Sequence, residues 1–375
     1  MSGVAQHKDT RNVGHRGPTL QGAMKVLFIG STKRGYLALQ ALAEAGAHIV
    51  GVISLRQDEH EVERFEGPIA QLTSELGVPL HETKWMNDRD YADLIRNHWQ
   101  PDIAFVVGCR LRLPREIYTA PPAGTLAVHD SCLPWYRGFA PLNWAILNGA
   151  DHTGVTLFYV TDAIDGGDIV ADQRVPIGPD DTAAEVYERV CAATATLLRE
   201  AYPLLAAGRA PRRSQHDAQA TYTCPRVPAD GLIDWAAGTI PIYNQVRALT
   251  RPYPGAFTYV GTQRLTVWRA VPVRPPPRYV GRIPGRVVAI ERGRGTVDVL
   301  TGDGVLRLHE IQMDGGDPEP ATAVIRSIRA TLGVRIVDLM ERIAELHLVG
   351  HGGPTLQDAG HGGPTLQVAT AGGRP

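Results

Sequence analysis

"GTLAVHDSCLPWYRGFAPLNWAILNG" runs from Gly124 to Gly149. It opens as a short β-rich run ending at His129. It bends through Ser-Cys-Leu-Pro, passes an Arg-Gly step and continues as an amphipathic helix over 140–148. A histidine at the end of a strand raises a structural question first: what kind of sheet carries that strand? The answer lies upstream. "MKVLFIGS" (24–31) is a continuous apolar run closed by a glycine, the pattern of a strand buried on both faces. "YLALQALAEAG" reads as a helix with Gly46 as its C-terminal cap. "HIVGVIS" (48–54) is a second buried strand, helices follow near 67–76 and 88–98, and "DIAFVVG" (102–108) is a third strand. Strands alternating with helices predict an α/β fold, a Rossmann-like, doubly wound parallel sheet. Such sheets bind ligands at the carboxyl ends of their strands, which is where His129 falls. The first strand leads into "IGSTKRG" rather than Gly-x-Gly-x-x-Gly, so a dinucleotide cofactor is not expected.

The 375 residues suffice for two domains with their own cores, and 43% hydrophobic with 21% charged residues is ordinary for a soluble globular protein. A formal net charge of −1 gives no global positive field, which argues against nucleic acid as a partner. Cys109, Cys132, Cys191 and Cys224 lack zinc-finger spacing and read as reduced thiols. No metal is expected. No apolar stretch is long enough to span a bilayer, and "MSGVAQHKDTRN" has no signal-peptide core. A cytoplasmic protein without a membrane partner is the expectation.

Downstream, "TGVTLFYV" (153–160) is β-rich, "DAIDGGD" (162–168) is a turn and "IVADQRVPI" is a further strand. A long helix covers 181–208 from an Asp-Thr cap. "RAPRRSQHD" reads as a polar linker. From about 220 short β runs separated by glycines suggest a small barrel, so a β-rich, OB-like C-terminal domain. Residues 321–348 read as mainly helical, with a break at Gly333. The ends repeat each other: "VGHRGPTLQ" (13–21), "VGHGGPTLQ" (349–357) and "GHGGPTLQ" (360–367). These copies read as linker, with a docking tag or a weak metal site from His15, His351 and His361 as the sharper alternatives. The expected organisation is a flexible tail 1–23, a Rossmann-like domain 24–208, a linker and β-rich domain 209–318, a helical extension 319–347 and a repeat tail 348–375.

His129 and Asp165 each follow a strand expected in one sheet, and a histidine held by a carboxylate is a general acid–base unit. Taken alone, one such pair is weak evidence, because a lone histidine is more often structural. Asp162 and Asp168 flank Asp165 as turn-capping candidates. Arg137 either grips a phosphate or carboxylate through two parallel bonds, or pins its loop to the second domain. Trp135 and Tyr136 either stack on an aromatic ligand or pack. Cys132 has no base at a diagnostic spacing and reads as packing. Trp144 reads as core.

"HDSCLPWYRGFAPLNWAILNG…TGVTLFYVTDAIDGGDI", with "LIDWAAGTIPIYNQVRALTRPYPGAFTYVGTQRLTVW" (232–268), resembles the folate-dependent formyltransferase family. That family's signature is Asn-x-His-x-Ser-Leu-Leu-Pro, Arg-Gly-x-x-Pro, Thr-Gly-Val-Thr and a distal Asp-x-Gly. "PLNWAILNG" and "YPGAFTYVGTQRLTVW" are most similar to its nucleotide amino-sugar branch, of which UDP-4-amino-4-deoxyarabinose formyltransferase is an example. The resemblance covers about 24–315. It implies transfer of a formyl group from 10-formyltetrahydrofolate to a primary amine, on an amino sugar carried by a nucleotide. It implies His129 as the oxyanion or proton partner and Asp165 as its orienter or base. It also places Cys109, Arg110, Leu111 and Asp162 near the folate, and Arg137, Tyr136 and Asn143 near the acceptor. A homodimer is the expected assembly. The sequence departs from the signature at one position. Where the family has Asn, this chain has Ala127, and a methyl group donates no hydrogen bond. A same-fold enzyme with different one-carbon or hydrolytic chemistry, and a non-catalytic binding protein, therefore stand as alternatives.

Overall fold

A computed structural model of the chain describes residues 23–56, 66–86, 88–109 and 112–334, with Met340 and Ile343. The repeat tails, with His15, His351 and His361, lie outside the described residues, as do Arg110 and Leu111.

Residues 23–333 belong to one compact unit. Its first half is built on β1 (Lys25–Gly30), α1 (Thr32–Glu44), β2 (His48–Leu55), α2 (Glu66–Leu76), β3 (Leu80–Thr83), α3 (Asp88–Asp93), β4 (Ile103–Val107), α4 (Arg115–Tyr118) and β5 (Thr125–His129). A π-helical turn, Leu94–Trp99, continues α3. The strands lie in the order β3-β2-β1-β4-β5, all parallel. Alternate residues of β1 face opposite sides: Val26 and Phe28 enter one core cluster with Leu39 and Leu42 of α1, while Leu27 and Ile29 enter a second with Ile95 and Ile117. Burial on both faces is why these strands read as unbroken apolar runs.

After the two-residue strand β6 (Arg137–Gly138) and α5 (Pro141–Leu147), the chain adds β7 (His152–Tyr159) and β8 (Ile169–Pro176). Both are antiparallel to their neighbours, so the sheet is mixed rather than parallel throughout. For β8 the cause is connection length. Residues 160–168 joining β7 to β8 form a turn, and a parallel return needs a crossover of a dozen residues or more. Helix α6 (Ala183–Ala206) then packs on α1. Its N-terminus has the expected cap in full form: Thr182 Oγ1 accepts from Glu185 N–H, and Glu185 Oε2 accepts from Thr182 N–H at 2.7 Å.

Beyond β9 (Tyr222–Thr223), which pairs with β6, α7 (Thr239–Leu249) packs against both α5 and the second sheet. That sheet contains β10 (Ala256–Val260), β11 (Gln263–Pro272), β12 (Val287–Glu291), β13 (Thr296–Leu300) and β14 (Val305–Met313), antiparallel in the order β10-β11-β14-β13-β12, with β15 (Glu319–Pro320) on β14. Within the expected helical extension, Ala321–Val324 form α8 and Met340 and Ile343 are helical, while much of the rest lies outside the described residues. Residues 330–333 are extended instead. Leu332 N–H donates to Gly285 O at 2.7 Å, Val287 N–H donates to Ala330 O at 3.0 Å, and Gly333 N–H donates to Tyr259 O at 3.0 Å. This segment stitches the end of β10 to the start of β12, and Leu332 is buried beneath it. Tertiary pairing overrides local helix preference, because each edge supplies backbone partners that an isolated helix end lacks.

Candidate active site

His129 is the last residue of β5, beside the carboxyl end of β4, as expected for a ligand site in such a sheet. Its ring is 9% exposed. Nε2 lies 2.7 Å from the Tyr136 carbonyl oxygen. A carbonyl only accepts, so Nε2 carries the hydrogen and Nδ1 is the free face of the neutral ring. Nδ1 points at Asp165 Oδ2, 3.6 Å away. Burial pushes the imidazole below its ordinary pKa and the nearby Arg34 guanidinium adds to this, while the Asp165 charge and the Tyr136 bond oppose it. The ring is therefore neutral near pH 7.

Asp165 arrives by a different route from the one its position after β7 suggests. β7 runs against β5, so Tyr159 at its end pairs with Leu126, and Thr156 pairs with His129. The 160–168 turn brings Asp165 back to the histidine. The residue sits at φ 48°, in the left-handed region, and its Oδ2 accepts from Gly138 N–H at 2.8 Å.

Asp130 points away from His129, as strand alternation requires, and forms an ion pair with Arg34 of α1. Asp162 is occupied by α4: it pairs with Arg115 and accepts from the Tyr118 hydroxyl at 2.5 Å, while its carbonyl accepts from Arg112 at 2.9 Å. The Tyr118 hydroxyl and Arg115 together hold its carboxyl below the usual range. Asp168 binds Arg212 and Ser214. Half-buried Cys109, Ala127 and Val160 edge the second core cluster. Ala127 shares a strand face with His129 and also touches the small cluster of Leu133, Phe158 and Ile169.

Asn143 and Arg137, expected near the acceptor, are both engaged within the protein. Asn143 is 4% exposed and its Nδ2 donates to Ala248 O at 2.8 Å, so it ties α5 to α7 and is withdrawn from any ligand. Arg137 is 2% exposed, and its guanidinium is spent on Gln215, Asp217 and the Tyr222 hydroxyl. It is the loop pin rather than the anion grip. Tyr136 contributes its carbonyl to His129 and its N–H to Thr221 Oγ1 at 2.8 Å. Trp144 is half-buried rather than core: its indole N–H donates to Cys224 O, and Arg226 stacks over the ring. Trp135 and Phe139 stand exposed on the same loop. Cys132 contacts the Thr153 carbonyl, and burial pushes its thiol up, away from nucleophilic use. Gln215, in the stretch that reads as a linker, is the site residue that sequence patterning misses. A polar run carries no periodicity, and its partners lie about 50 to 80 positions away.

A family model described as formyl transferase matches residues 24–202, and one described as formyl transferase, C-terminal domain, matches 227–329. The chain belongs to the formyl transferase family. The two matched segments coincide with the mixed sheet and the antiparallel sheet. Among solved structures, HypX from Aquifex aeolicus in complex with tetrahydrofolic acid is similar at 18% identity and a TM-score of 0.55, over 82% of this chain and 48% of that one. The chain thus spans about half the length of HypX. A sugar 3N-formyl transferase, WlaRD, crystallised with dTDP and 5-N-formyl-THF, matches at 16% identity and a TM-score of 0.55, over 79% of this chain and 100% of that one. An N-formyltransferase from Helicobacter canadensis, in complex with folinic acid and dTDP-3-aminofucose, matches at 16% identity and a TM-score of 0.56, over 76% and 98%. At these identities the likeness is one of fold. Among the described residues no helix is long and apolar enough to cross a membrane, and no cluster of three or more His, Cys, Asp or Glu is placed to hold a metal ion.

Proposed function

We propose that this formyl transferase moves a formyl group from 10-formyltetrahydrofolate to the primary amine of a small molecule, an amino sugar carried by a nucleotide. The observation that carries the reading is the pairing of His129 Nδ1 with Asp165 Oδ2. Both are acceptors when the ring is neutral, and at 3.6 Å they do not bond each other. A donor placed between them satisfies both, and an amine supplies N–H groups of that kind.

The donor supplies a formyl carbon attached to a nitrogen leaving group. As the acceptor amine adds to that carbon, its nitrogen must shed a proton and negative charge builds on the formyl oxygen. His129 Nδ1 takes the proton, since burial keeps the ring neutral and leaves Nδ1 unprotonated. The imidazolium so formed faces the Asp165 carboxylate, which Gly138 N–H holds in place. The same ring then returns the proton to the departing nitrogen. The half-buried apolar edge of Cys109, Ala127 and Val160 fits the flat ring of a folate in character. The folate-bound and nucleotide-bound relatives favour the same donor and acceptor classes.

Ala127 favours a second reading. Its side chain offers no hydrogen to the formyl oxygen, and its close neighbours Leu133 and Phe158 are apolar. Water in place of the amine would make the same His–Asp pair release formate. One experiment separates the two. The protein is incubated with 10-formyltetrahydrofolate and a panel of nucleotide-linked amino sugars, and both formylated sugar and formate are measured by mass spectrometry. A formylated sugar is expected. Formate alone, independent of any amine, favours the second reading.

A further inference from the structure

We infer that Gln215, clamped by Arg137, is a positioning residue that sets the separation of His129 and Asp165. Residues 136–138 touch both partners. The Tyr136 carbonyl accepts from His129 Nε2, and Gly138 N–H donates to Asp165 Oδ2. Between them, Arg137 reaches Gln215: its Nε and Nη2 donate to Oε1 at 3.1 and 2.7 Å. The Gln215 amide then donates to two carbonyls of the returning turn, Asp165 O and Gly167 O, each at 2.7 Å. Both amide hydrogens and the amide oxygen are used. One side chain therefore connects the backbone that orients the imidazole to the backbone that presents the carboxylate.

Three further facts make this a constraint on distance. Asp165 sits at φ 48°, a conformation that L residues adopt rarely and that needs support from its surroundings. Gly138 is at φ 106°, and a Cβ there would lie 2.5 Å from Thr223 O, so the 136–138 strand is pressed against β9 and cannot drift. Asp217 and the Tyr222 hydroxyl also accept from Arg137, which fixes the guanidinium from the far side. The charged groups facing His129 are Asp165 from the turn and Arg34 from α1, the latter paired with Asp130. Gln215 bonds the Asp165 backbone carbonyl but neither of these charged groups. It acts on the histidine only by placing Asp165.

The test is made on the full chain, and only its kinetic arm rests on the formyl-transfer reading. Gln215→Met keeps the length of the side chain and removes all four bonds. The titration of His129 is followed by NMR of histidine-labelled protein, with His129→Gln identifying the resonance. Because the Asp165 charge raises the His129 midpoint, letting Asp165 move away should lower that midpoint. The kcat for formyl transfer should fall about 10–100-fold with KM nearly unchanged, the usual result of misplacing a catalytic group by about 1 Å. Thr239→Ala, which removes a buried bond to Asp303 beside the second sheet, should lower the melting temperature without moving the His129 midpoint. Should Gln215→Met not fold, Gln215→Leu is used, which also removes all four bonds without adding a charge. An unchanged His129 midpoint in a folded variant overturns the assignment. Failure of both variants to fold also overturns it, making Gln215 a structural residue. Absence of formyl transfer by the wild type would refute the proposed activity and leave the NMR result to judge the positioning.

Discussion

Replacing Ala127 with Asn should accelerate formyl transfer. Residues 127 and 129 share one face of β5, so their Cα atoms lie about 6.7 Å apart along the strand. An Asn amide at 127 can therefore reach the oxygen of a formyl group whose attacking amine lies against His129 Nδ1. One such donor is worth roughly 2.7–4 kcal/mol in the transition state, or about 10²–10³ in rate. The substitution carries a cost in the resting protein. Ala127 is half-buried against Leu133, Phe158 and Ile169, none of which can bond an amide. An amide held there without a partner costs about 1–3 kcal/mol of stability. The expected signature is a divergence: a lower melting temperature with a higher kcat. The assay is steady-state formylation of the acceptor identified from the panel, read by mass spectrometry beside a thermal melt. A folded Ala127→Asn protein with unchanged or lower kcat would refute the reasoning. It would mean that another group already fills the role, or that no charge develops at that point.

Asn143→Ala should leave KM for the acceptor unchanged and lower stability by about 1–3 kcal/mol, because it orphans the Ala248 carbonyl between α5 and α7; urea unfolding with parallel kinetics checks this. Thr182→Ala should cost about 1 kcal/mol by removing the cap of α6, measured as a shift in denaturant midpoint at constant m. The proton linkage of His129 should make the fold sensitive to acid. Its folded pKa lies below the unfolded value of about 6.5, so its contribution is full above that pH and is lost as pH falls from there toward the folded value. Stability measured from pH 8 to pH 5 should fall less steeply in His129→Gln than in the wild type, and identical slopes would refute the shift.

The parallel half of the mixed sheet is legible because burial on both faces writes itself as apolar runs, as in "KVLFIG" and "IAFVV". His129 is legible because it closes one of those runs. Asp165 is found for an incomplete reason: the motif marks it, but β-rich patterning cannot tell that β7 runs antiparallel and that the turn must double back. Asn143 and Arg137 show the opposite limit. A polar residue beside a catalytic motif looks like a ligand contact until its buried partners are known, and Ala248 and Gln215 lie 105 and 78 residues away. Gln215 itself sits in a stretch whose composition signals only a connector.

The short segment 330–333 has a consequence for how this chain behaves in company. A sheet edge is an invitation, since its unpaired N–H and C=O groups will accept any passing strand. Between β10 and β12 that invitation is withdrawn by Leu332 and its neighbours, which bond to Gly285, Tyr259 and Val287. A chain cut at 318, where the β-rich text ends, would keep every strand of the second sheet through β14 and lose this lock. Ala321, Ile325 and Leu332 would leave the core with it, so such a chain would lose stability as well as present open strand edges to other molecules. Four residues that read, from sequence, as part of a helix thus close the two edges of the second sheet.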